Sequence, residues 1–274
     1  MEFESVIRGR RSIRRYKAEP VPQELIREIL DEARWSPSWA NTQVWNIYVL
    51  TGAALERLKV AYRQLAQSEV RGAPDFRSQG EWPAHLAART KQLIDVRSAA
   101  AREDGPALAP AMAGMAELYG APCLLLFAVE ESLIADYACF DTGMIVQSLC
   151  LAAHDKGLGA CIMARTVRHP DMLREVLPEA ADKHFVIGVA LGYPDMEAPI
   201  NQFQRPRAPL KELVPSVLSR RFGCNMRRDC RGSHRRSCAT RTAAVRRSSV
   251  RSRSGWRRPA PSSSGGCPGE ATSR

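Results

Sequence analysis

Several features that assign proteins to common functional classes are missing from this sequence. No stretch reaches the roughly 18 apolar residues that a membrane-spanning helix needs, and the first residues lack the apolar segment of a secretory signal. Residues 1–219 contain no paired Cys or His spacing of a metal site, no G-x-S-x-G motif and no Walker loop. Four cysteines in this range lie singly within apolar runs, as buried thiols of a reducing compartment do. The sequence therefore predicts a cytoplasmic protein that has no metal site, no protein nucleophile and no membrane partner.

The positive charge of the chain is concentrated near its end. The 274 residues carry a formal net charge of +11, but residues 220–274 contain fifteen Arg, no Lys and two acidic residues, so this segment alone carries +13. Residues 1–219 are therefore nearly neutral, with a net charge of −2. The composition predicts a globular domain over residues 1–219 and a basic Arg/Ser-rich tail over residues 220–274 that is disordered because it cannot build a core.

The spacing of apolar residues predicts an α+β domain. Helices are predicted over residues 2–8, 22–36, 53–67, 134–156 and 170–177, and strands over residues 46–51, 122–129, 161–163 and 185–193. The helix over residues 134–156 is apolar on more than one face, which is typical of a helix at the centre of a fold or between subunits. Residues 68–109 have weak periodicity, and we expect short helical pieces and loops there; Trp82 suits a lid element, although a single Trp more often serves packing than substrate contact.

Four arginines lie close together near the start, in the run Arg10-Arg11-Ser12-Ile13-Arg14-Arg15-Tyr16. Such a cluster repels itself and is costly to bury without partners. A phosphate group offers negative charge and hydrogen-bond acceptors together, and guanidinium groups bind it with two parallel hydrogen bonds. The run therefore indicates an anion site, although a solvated basic surface or a nuclear-import signal has the same composition.

A polar loop with two tryptophans follows the second predicted helix. It runs Ser36-Pro37-Ser38-Trp39-Ala40-Asn41-Thr42-Gln43-Val44-Trp45 and leads into the first predicted strand. Large aromatic side chains on a turn-rich segment at the edge of a sheet are typical of a binding rim. They also suit core anchors that cap the strand, above all at Trp45.

These two segments, together with three later ones, resemble the FMN-dependent nitroreductases. The later segments are Asp141-Thr142-Gly143 with Gln147 and Gly157-Leu158-Gly159, then Gly188-Val189-Ala190-Leu191-Gly192-Tyr193-Pro194, and finally Arg205-Pro206-Arg207. All five occur in the order of the family and span about residues 5–215. The resemblance implies an α+β, nitroreductase-like fold with a central mixed sheet flanked by helices, and a homodimer with FMN at its interface. The chain departs from the family pattern at Val44, where Pro is common.

The resemblance also implies which residues bind the phosphate end of FMN. Arg10, Ser12 and Arg207 would bind the phosphate and Arg205 would lie close by, while Arg11 and Ile13 of the same segment are also implied as cofactor-binding residues. Arg14 would lie toward the ribityl chain and the pyrimidine edge, where reduction of the ring places negative charge.

A second group of residues is implied at the ring end of FMN. Its members are Pro37, Ser38, Trp39 and Asn41, expected from the partner subunit, and Gln147, Ala160 and Cys161. The first four would border the isoalloxazine, and Ala160 and Cys161 would offer backbone groups near flavin N5 and O4. Gln147 would face the pocket or the dimer interface.

The implied activity is a two-step, ping-pong reduction. NADPH or NADH would reduce FMN, and after the oxidised nicotinamide leaves, hydride would pass from N5 to a nitroaromatic acceptor in the same pocket; repeated cycles would give the hydroxylamine. Trp39 and Trp82 would stack on the aromatic ring of the acceptor. Other reactions of the same fold stay open, namely quinone or enone reduction, reductive dehalogenation and oxygen-dependent flavin chemistry.

The basic tail permits three interpretations. It is an arm that binds nucleic acid or an acidic partner, which would make the chain a nucleic-acid-binding protein led by its tail. Alternatively, Cys224, Cys230, His234 and Cys238 form a metal site, although their spacing fits no zinc pattern. We favour the third interpretation, a segment without evolved function such as a read-through or a frame change, because the composition shifts abruptly; nucleic acid is then not expected as a partner.

Overall fold

A four-stranded antiparallel sheet forms the centre of the protein, in a computed structural model that describes residues 1–68, 70–77, 79–104 and 116–214. Its strands are β1 (Asn46–Thr51), β2 (Cys123–Glu130), β3 (Gly159–Met163) and β4 (Lys183–Gly192). They lie in the order β1-β2-β4-β3, so that β2 and β4 are the inner strands. The four predicted strands are thus present, with shifts of a few residues at their ends.

Helices cover this sheet. They are α1 (Phe3–Gly9), α2 (Gln23–Ala33), α3 (Gly52–Gln67), α4 (Ala84–Glu103), α5 (Ala135–Asp155), α6 (Pro170–Val176), α7 (Pro199–Gln202) and α8 (Leu210–Leu213). Five of them lie where the sequence predicts helices, again with small shifts at the ends. The α+β class is therefore confirmed.

The helix α4 differs from its prediction. Weak periodicity led us to expect short helical pieces and loops between residues 68 and 109, but Ala84–Glu103 form one continuous helix of 20 residues. Only Ala100 of this helix is buried, so the helix lies on the surface and has no wide apolar stripe. Its many Ala, Leu, Lys, Arg and Gln residues have high helix propensity, which stabilises it instead. The end of the predicted stretch, residues 105–109, lies outside the described ranges.

The two faces of the sheet pack against different helices. Strand β2 is buried from Cys123 to Val129, as a strand covered on both faces must be. Its alternate side chains divide between the faces: Leu124 and Leu126 join a core that includes residues of α3 and α6, whereas Leu125 and Phe127 join one that includes residues of α2 and α5. Each fully buried side chain of this size stabilises the fold by about 1.5–3 kcal/mol relative to its exposed state.

The arginine run is attached to the edge of the sheet. Ser12 makes a parallel bridge to Ala160 of β3, and the Ile13 N–H donates to the Ala160 carbonyl at 3.0 Å. Gly159 permits this approach, because a Cβ at that position would lie 2.5 Å from Ile13 Cγ1. Where the resemblance implies a mixed sheet, the named strands of the described residues pair only in antiparallel fashion, and the parallel bridge of Ser12 lies outside those strands.

The cysteines, the helix lengths and the possible metal ligands can be compared with the sequence predictions. Cys123, Cys150 and Cys161 are buried free thiols, whereas Cys139 is partly exposed. Within the described ranges, no helix combines the length and apolar composition required to span a bilayer, and no group of three His, Cys, Asp or Glu side chains is arranged for a metal ion. The basic tail, including its four clustered Cys and His residues, lies outside the described residues.

Candidate functional site

A small cavity brings together the two arginine segments of the sequence. It measures about 170 Å³. Its lining residues are Arg10, Arg11, Ser12, Arg14, Leu93, Asn201, Phe203, Arg205 and Arg207. The predicted cluster near the start and the predicted Arg205-Pro206-Arg207 segment thus share one cavity, although almost 200 residues separate them in sequence. We call this cavity the arginine cavity.

The arginines of the cavity have neutral hydrogen-bond partners. Arg11 Nη1 donates to the Asn201 carbonyl at 2.9 Å, Arg205 Nη2 donates to the Arg8 carbonyl at 2.8 Å, and Arg207 Nη1 donates to the Pro206 carbonyl at 2.9 Å. Within the described part of the chain, none of the five guanidinium groups of the cavity forms an ion pair with a carboxylate. The cavity therefore has an excess of positive charge and unused donors.

Arg205 shows this excess most clearly. Its Nη1 is buried and has no hydrogen-bond partner among the described residues. Burial, together with the neighbouring positive charges of Arg11, Arg10 and Arg207, lowers the pKa of Arg205 to about 10. A buried donor without an acceptor costs about 1–3 kcal/mol, and more when it is charged. A phosphate group fits this arrangement because its oxygens would satisfy the donor and its charge would offset the repulsion.

Arg15 does not belong to the arginine cavity. Its guanidinium lies 3.4 Å from Asp104 Oδ2 at the end of α4 and 3.9 Å from Asp195 Oδ2. The predicted run of four arginines therefore divides, since Arg10, Arg11 and Arg14 line the cavity and Arg15 binds carboxylates of the protein itself.

Ile13 and Cys161 occupy the core beside the arginine cavity. Ile13 is 2% exposed and packs in the same core cluster as Cys161, so its side chain anchors the arginine run to β3. Burial raises the pKa of the Cys161 thiol. The Ala160 carbonyl already accepts a hydrogen bond from the Ile13 N–H. The predicted contacts of Ala160 and Cys161 to a flavin therefore concern their other backbone atoms, and they stay predictions.

The tryptophan loop lies apart from the arginine cavity. Trp39 is 65% exposed, Pro37 and Asn41 are exposed, and Ser38 is partly buried. None of these four residues lines the arginine cavity, and neither does Gln147, which is exposed on α5. Their predicted place beside the flavin of a second subunit stays a prediction.

Asn201 is a site residue that the sequence analysis missed. It is 1% exposed, and its side-chain oxygen accepts from the Arg14 N–H at 2.7 Å. Its amide nitrogen donates to the carbonyls of Arg15 at 2.8 Å and Asp195 at 2.7 Å. Asn201 thus fixes the backbone of the arginine run. The one sequence signal was a polar residue directly after Pro199-Ile200, which does not reveal a contact across more than 180 residues.

Comparisons with known proteins identify the family of the chain. Residues 7–193 match the model of the nitroreductase family. The 4-nitrobenzoate reductase of Pseudomonas putida is 30% identical over 216 residues, which cover 75% of this chain and 91% of the relative. The chloronitrobenzene nitroreductase of Comamonas testosteroni is 31% identical over 223 residues, which cover 78% of this chain and 96% of the relative.

A solved structure has the same fold. It is the FMN-dependent nitroreductase NfnB from Mycobacterium smegmatis in complex with NADPH, with a TM-score of 0.70 and 29% identity. The match covers 77% of this chain and 96% of that chain. This protein belongs to the nitroreductase family.

Proposed function

We propose that this protein is an FMN-dependent oxidoreductase that reduces nitroaromatic compounds to hydroxylamines in two successive ping-pong cycles, each of which consumes one NADPH or NADH. The arginine cavity supports this proposal most directly, because it combines five guanidinium groups with a buried, unpartnered donor on Arg205. A phosphate monoester such as that of FMN supplies the acceptors and the charge that these groups need. The names of the relatives, which are nitroreductases of aromatic compounds, support the class of acceptor.

The residues of the arginine cavity would bind and orient the cofactor. Arg10, Arg11, Arg205 and Arg207 would hold the phosphate as cations that stay charged at neutral pH. When bound, FMN supplies the hydride chemistry at N5 of its ring. The Arg14 guanidinium lies 6.0 Å from the centre of the Phe203 ring and lines the same cavity, which suits a contact to the polar part of the cofactor.

Exposed tryptophans are the candidate contacts of the acceptor. Trp39 is 65% exposed and Trp82 is 50% exposed, although large aromatic side chains are usually well buried in a folded protein. An offset stack of a nitroaromatic ring on an indole contributes about 0.5–1.5 kcal/mol beyond the area that it buries. We therefore assign the acceptor ring to a surface that Trp39 provides, with Trp82 as a second contact.

A second copy of the chain would complete the site. Ile134, directly before α5, and Tyr137 and Phe140 of α5 are 69%, 55% and 67% exposed, and the Tyr137 ring lies beside Trp39. Apolar patches of this kind mark interaction surfaces. A homodimer that buries them would bring the tryptophan loop of one subunit to the cofactor of the other. We expect this dimer to act in the cytoplasm, where its free thiols stay reduced.

The test is an absorbance spectrum of the purified full-length protein, followed by anaerobic titration with NADPH or NADH and addition of a nitroaromatic. We expect bound flavin, its bleaching by the nicotinamide and its recovery on addition of the acceptor. A panel of nitroaromatics, quinones, enones and halogenated aromatics then identifies the preferred acceptor. Protein that binds no flavin even after FMN is supplied would exclude the proposed function.

A pair of variants locates the cofactor. Arg10→Ala with Arg207→Ala should abolish flavin binding, because both guanidinium groups line the arginine cavity. Arg27→Ala with Arg34→Ala removes the same charge from α2 and the residue directly after it, where neither side chain lines that cavity, and should retain the flavin. Equal loss of flavin in both double variants would show that the arginine cavity is not the phosphate site.

A further inference from the structure

The loop that carries Trp39 is attached to α5 through a buried carboxylate. Asp141 is 2% exposed, and its Oδ2 accepts from the Trp39 backbone N–H at 3.0 Å. One turn earlier on the same helix, the Tyr137 ring lies 5.7 Å from the Trp39 ring, centroid to centroid, at an interplanar angle of 34°. The backbone and the indole of Trp39 are therefore both held against α5.

The loop adopts a backbone conformation that needs such support. Ala40, Asn41 and Gln43 have positive φ angles of 49°, 57° and 48°, a region that residues with a side chain rarely adopt. Each such residue is strained and persists only where surrounding contacts impose its conformation. The Gln43 N–H donates to Ser38 Oγ at 2.9 Å, and the bond from Trp39 to Asp141 ties this strained turn to the helix.

The second oxygen of Asp141 argues against a role in stability alone. Asp141 Oδ1 is buried and has no hydrogen-bond partner among the described residues. A half-satisfied buried carboxylate costs free energy that a smaller or apolar side chain would not cost. The contribution of Asp141 within the described chain therefore lies in its bond to the Trp39 backbone.

We propose that Asp141 is a positioning residue of the acceptor site, which fixes Trp39 in the orientation that stacks on a nitroaromatic ring. Asp141 does not touch the acceptor and acts through the backbone of Trp39. This inference rests on the proposed function, since it assumes that Trp39 contacts the acceptor. It adds a determinant of acceptor affinity that lies on a different element from the loop itself.

The first experiment measures the bond directly in the full-length protein. Hydrogen–deuterium exchange of the peptide that contains Trp39 should be faster in Asp141→Ala than in the wild type, because the N–H loses its acceptor. Asp141→Asn should restore slow exchange, since its amide oxygen accepts from the same N–H. Thr142→Val is the matched control, because the Thr142 hydroxyl donates to the Ala138 carbonyl at 2.7 Å and not to the loop. Unchanged exchange in Asp141→Ala would overturn the proposal.

The second experiment measures the acceptor. We expect Asp141→Ala to raise the KM for a nitroaromatic about tenfold, in line with the loss of one aromatic contact, when the KM is measured on flavin-saturated protein. Asp141→Asn should have a KM near that of the wild type. A KM in Asp141→Asn as high as in Asp141→Ala would show that the negative charge matters and the bond to Trp39 does not.

A double-mutant cycle separates positioning from general damage. If Asp141 acts through Trp39, Asp141→Ala should add nothing to the effect of Trp39→Ala on the KM for the acceptor. If the two residues act independently, the fold-changes in KM of the single variants would multiply in the double variant. Multiplying effects would overturn the inference. A wild type that binds no flavin and reduces no nitroaromatic would instead disprove the proposed function, and the exchange measurement would still test the contact between Asp141 and Trp39.

Discussion

Arg205 is a residue that the fold places at a cost in stability. Its pKa of about 10 lies below the usual 12.5, so between these values the unfolded chain binds the proton more readily than the folded one. Below pH 10 both states are charged, and the folded protein carries the full electrostatic penalty. We expect Arg205→Gln to raise the thermal unfolding midpoint of flavin-free protein at pH 7 and to weaken FMN binding about 10- to 100-fold, as the loss of a charged hydrogen bond worth roughly 1.5–3 kcal/mol predicts.

Two measurements check this opposition between stability and binding. Thermal unfolding of flavin-free protein measures the stability, and flavin titration measures the affinity for FMN. Arg34→Gln is the control, since that side chain is exposed and pairs with Asp31 on α2 at 2.6 Å. A lower unfolding midpoint in Arg205→Gln would mean that its bond to the Arg8 carbonyl outweighs the repulsion within the arginine cavity.

At the scale of single residues, the sequence predicted charge better than contacts. The density of arginines indicated an anion site, and Arg10, Arg11 and Arg14 do line one cavity with Arg205 and Arg207. The sequence did not distinguish Arg15 from the arginines that line the cavity, because its carboxylate partners Asp104 and Asp195 lie about 90 and 180 residues away along the chain. The sequence did not predict Asn201 as a site residue for the same reason. Contacts between distant segments depend on the tertiary fold, which local patterns do not encode.

At the scale of elements, α5 shows what its apolar composition could and could not predict. The sequence offered two environments for this helix, the centre of the fold or a subunit interface. One side of α5 is buried in the core through Ile145 and Leu149, while Tyr137 and Phe140 stay exposed on another side. Composition alone could not divide the helix between these environments, since both favour the same residues.

The exposed side of α5 gives a prediction about assembly. Phe140→Glu places a charge in the proposed interface, and we expect the variant to shift from dimer to monomer in light scattering and to lose flavin, because burial of an unpaired charge opposes association. Val60→Glu is the control, since Val60 is 44% exposed on α3 and lies outside the patch. A dimeric Phe140→Glu variant with full flavin content would place the interface elsewhere.

At the scale of the whole molecule, buried strands were easier to predict than their arrangement. The apolar run over residues 122–129 identified a strand, and β2 is buried from Cys123 to Val129, as a strand covered on both faces must be. The order β1-β2-β4-β3 and the all-antiparallel pairing could not be read from the runs, since strand order is set by which faces the connecting helices cover.

The division of charge along the chain leads to a prediction about the basic tail. We propose that residues 1–219 are the functional domain and that residues 220–274 contribute nothing to catalysis, because every residue assigned to the arginine cavity and to the acceptor lies before residue 208. A chain truncated after residue 219 should therefore keep the flavin content and the kcat/KM of the full-length protein. Its affinity for DNA at low salt should fall sharply, because fifteen arginines are removed and the remaining net charge is −2.

Full-length protein in 0.5 M salt is the control, since salt at that concentration weakens nonspecific DNA binding without removing the tail. Loss of flavin on truncation would show that the tail belongs to the enzyme, and sequence-specific DNA binding by the full-length chain would favour a nucleic-acid-binding protein led by its tail.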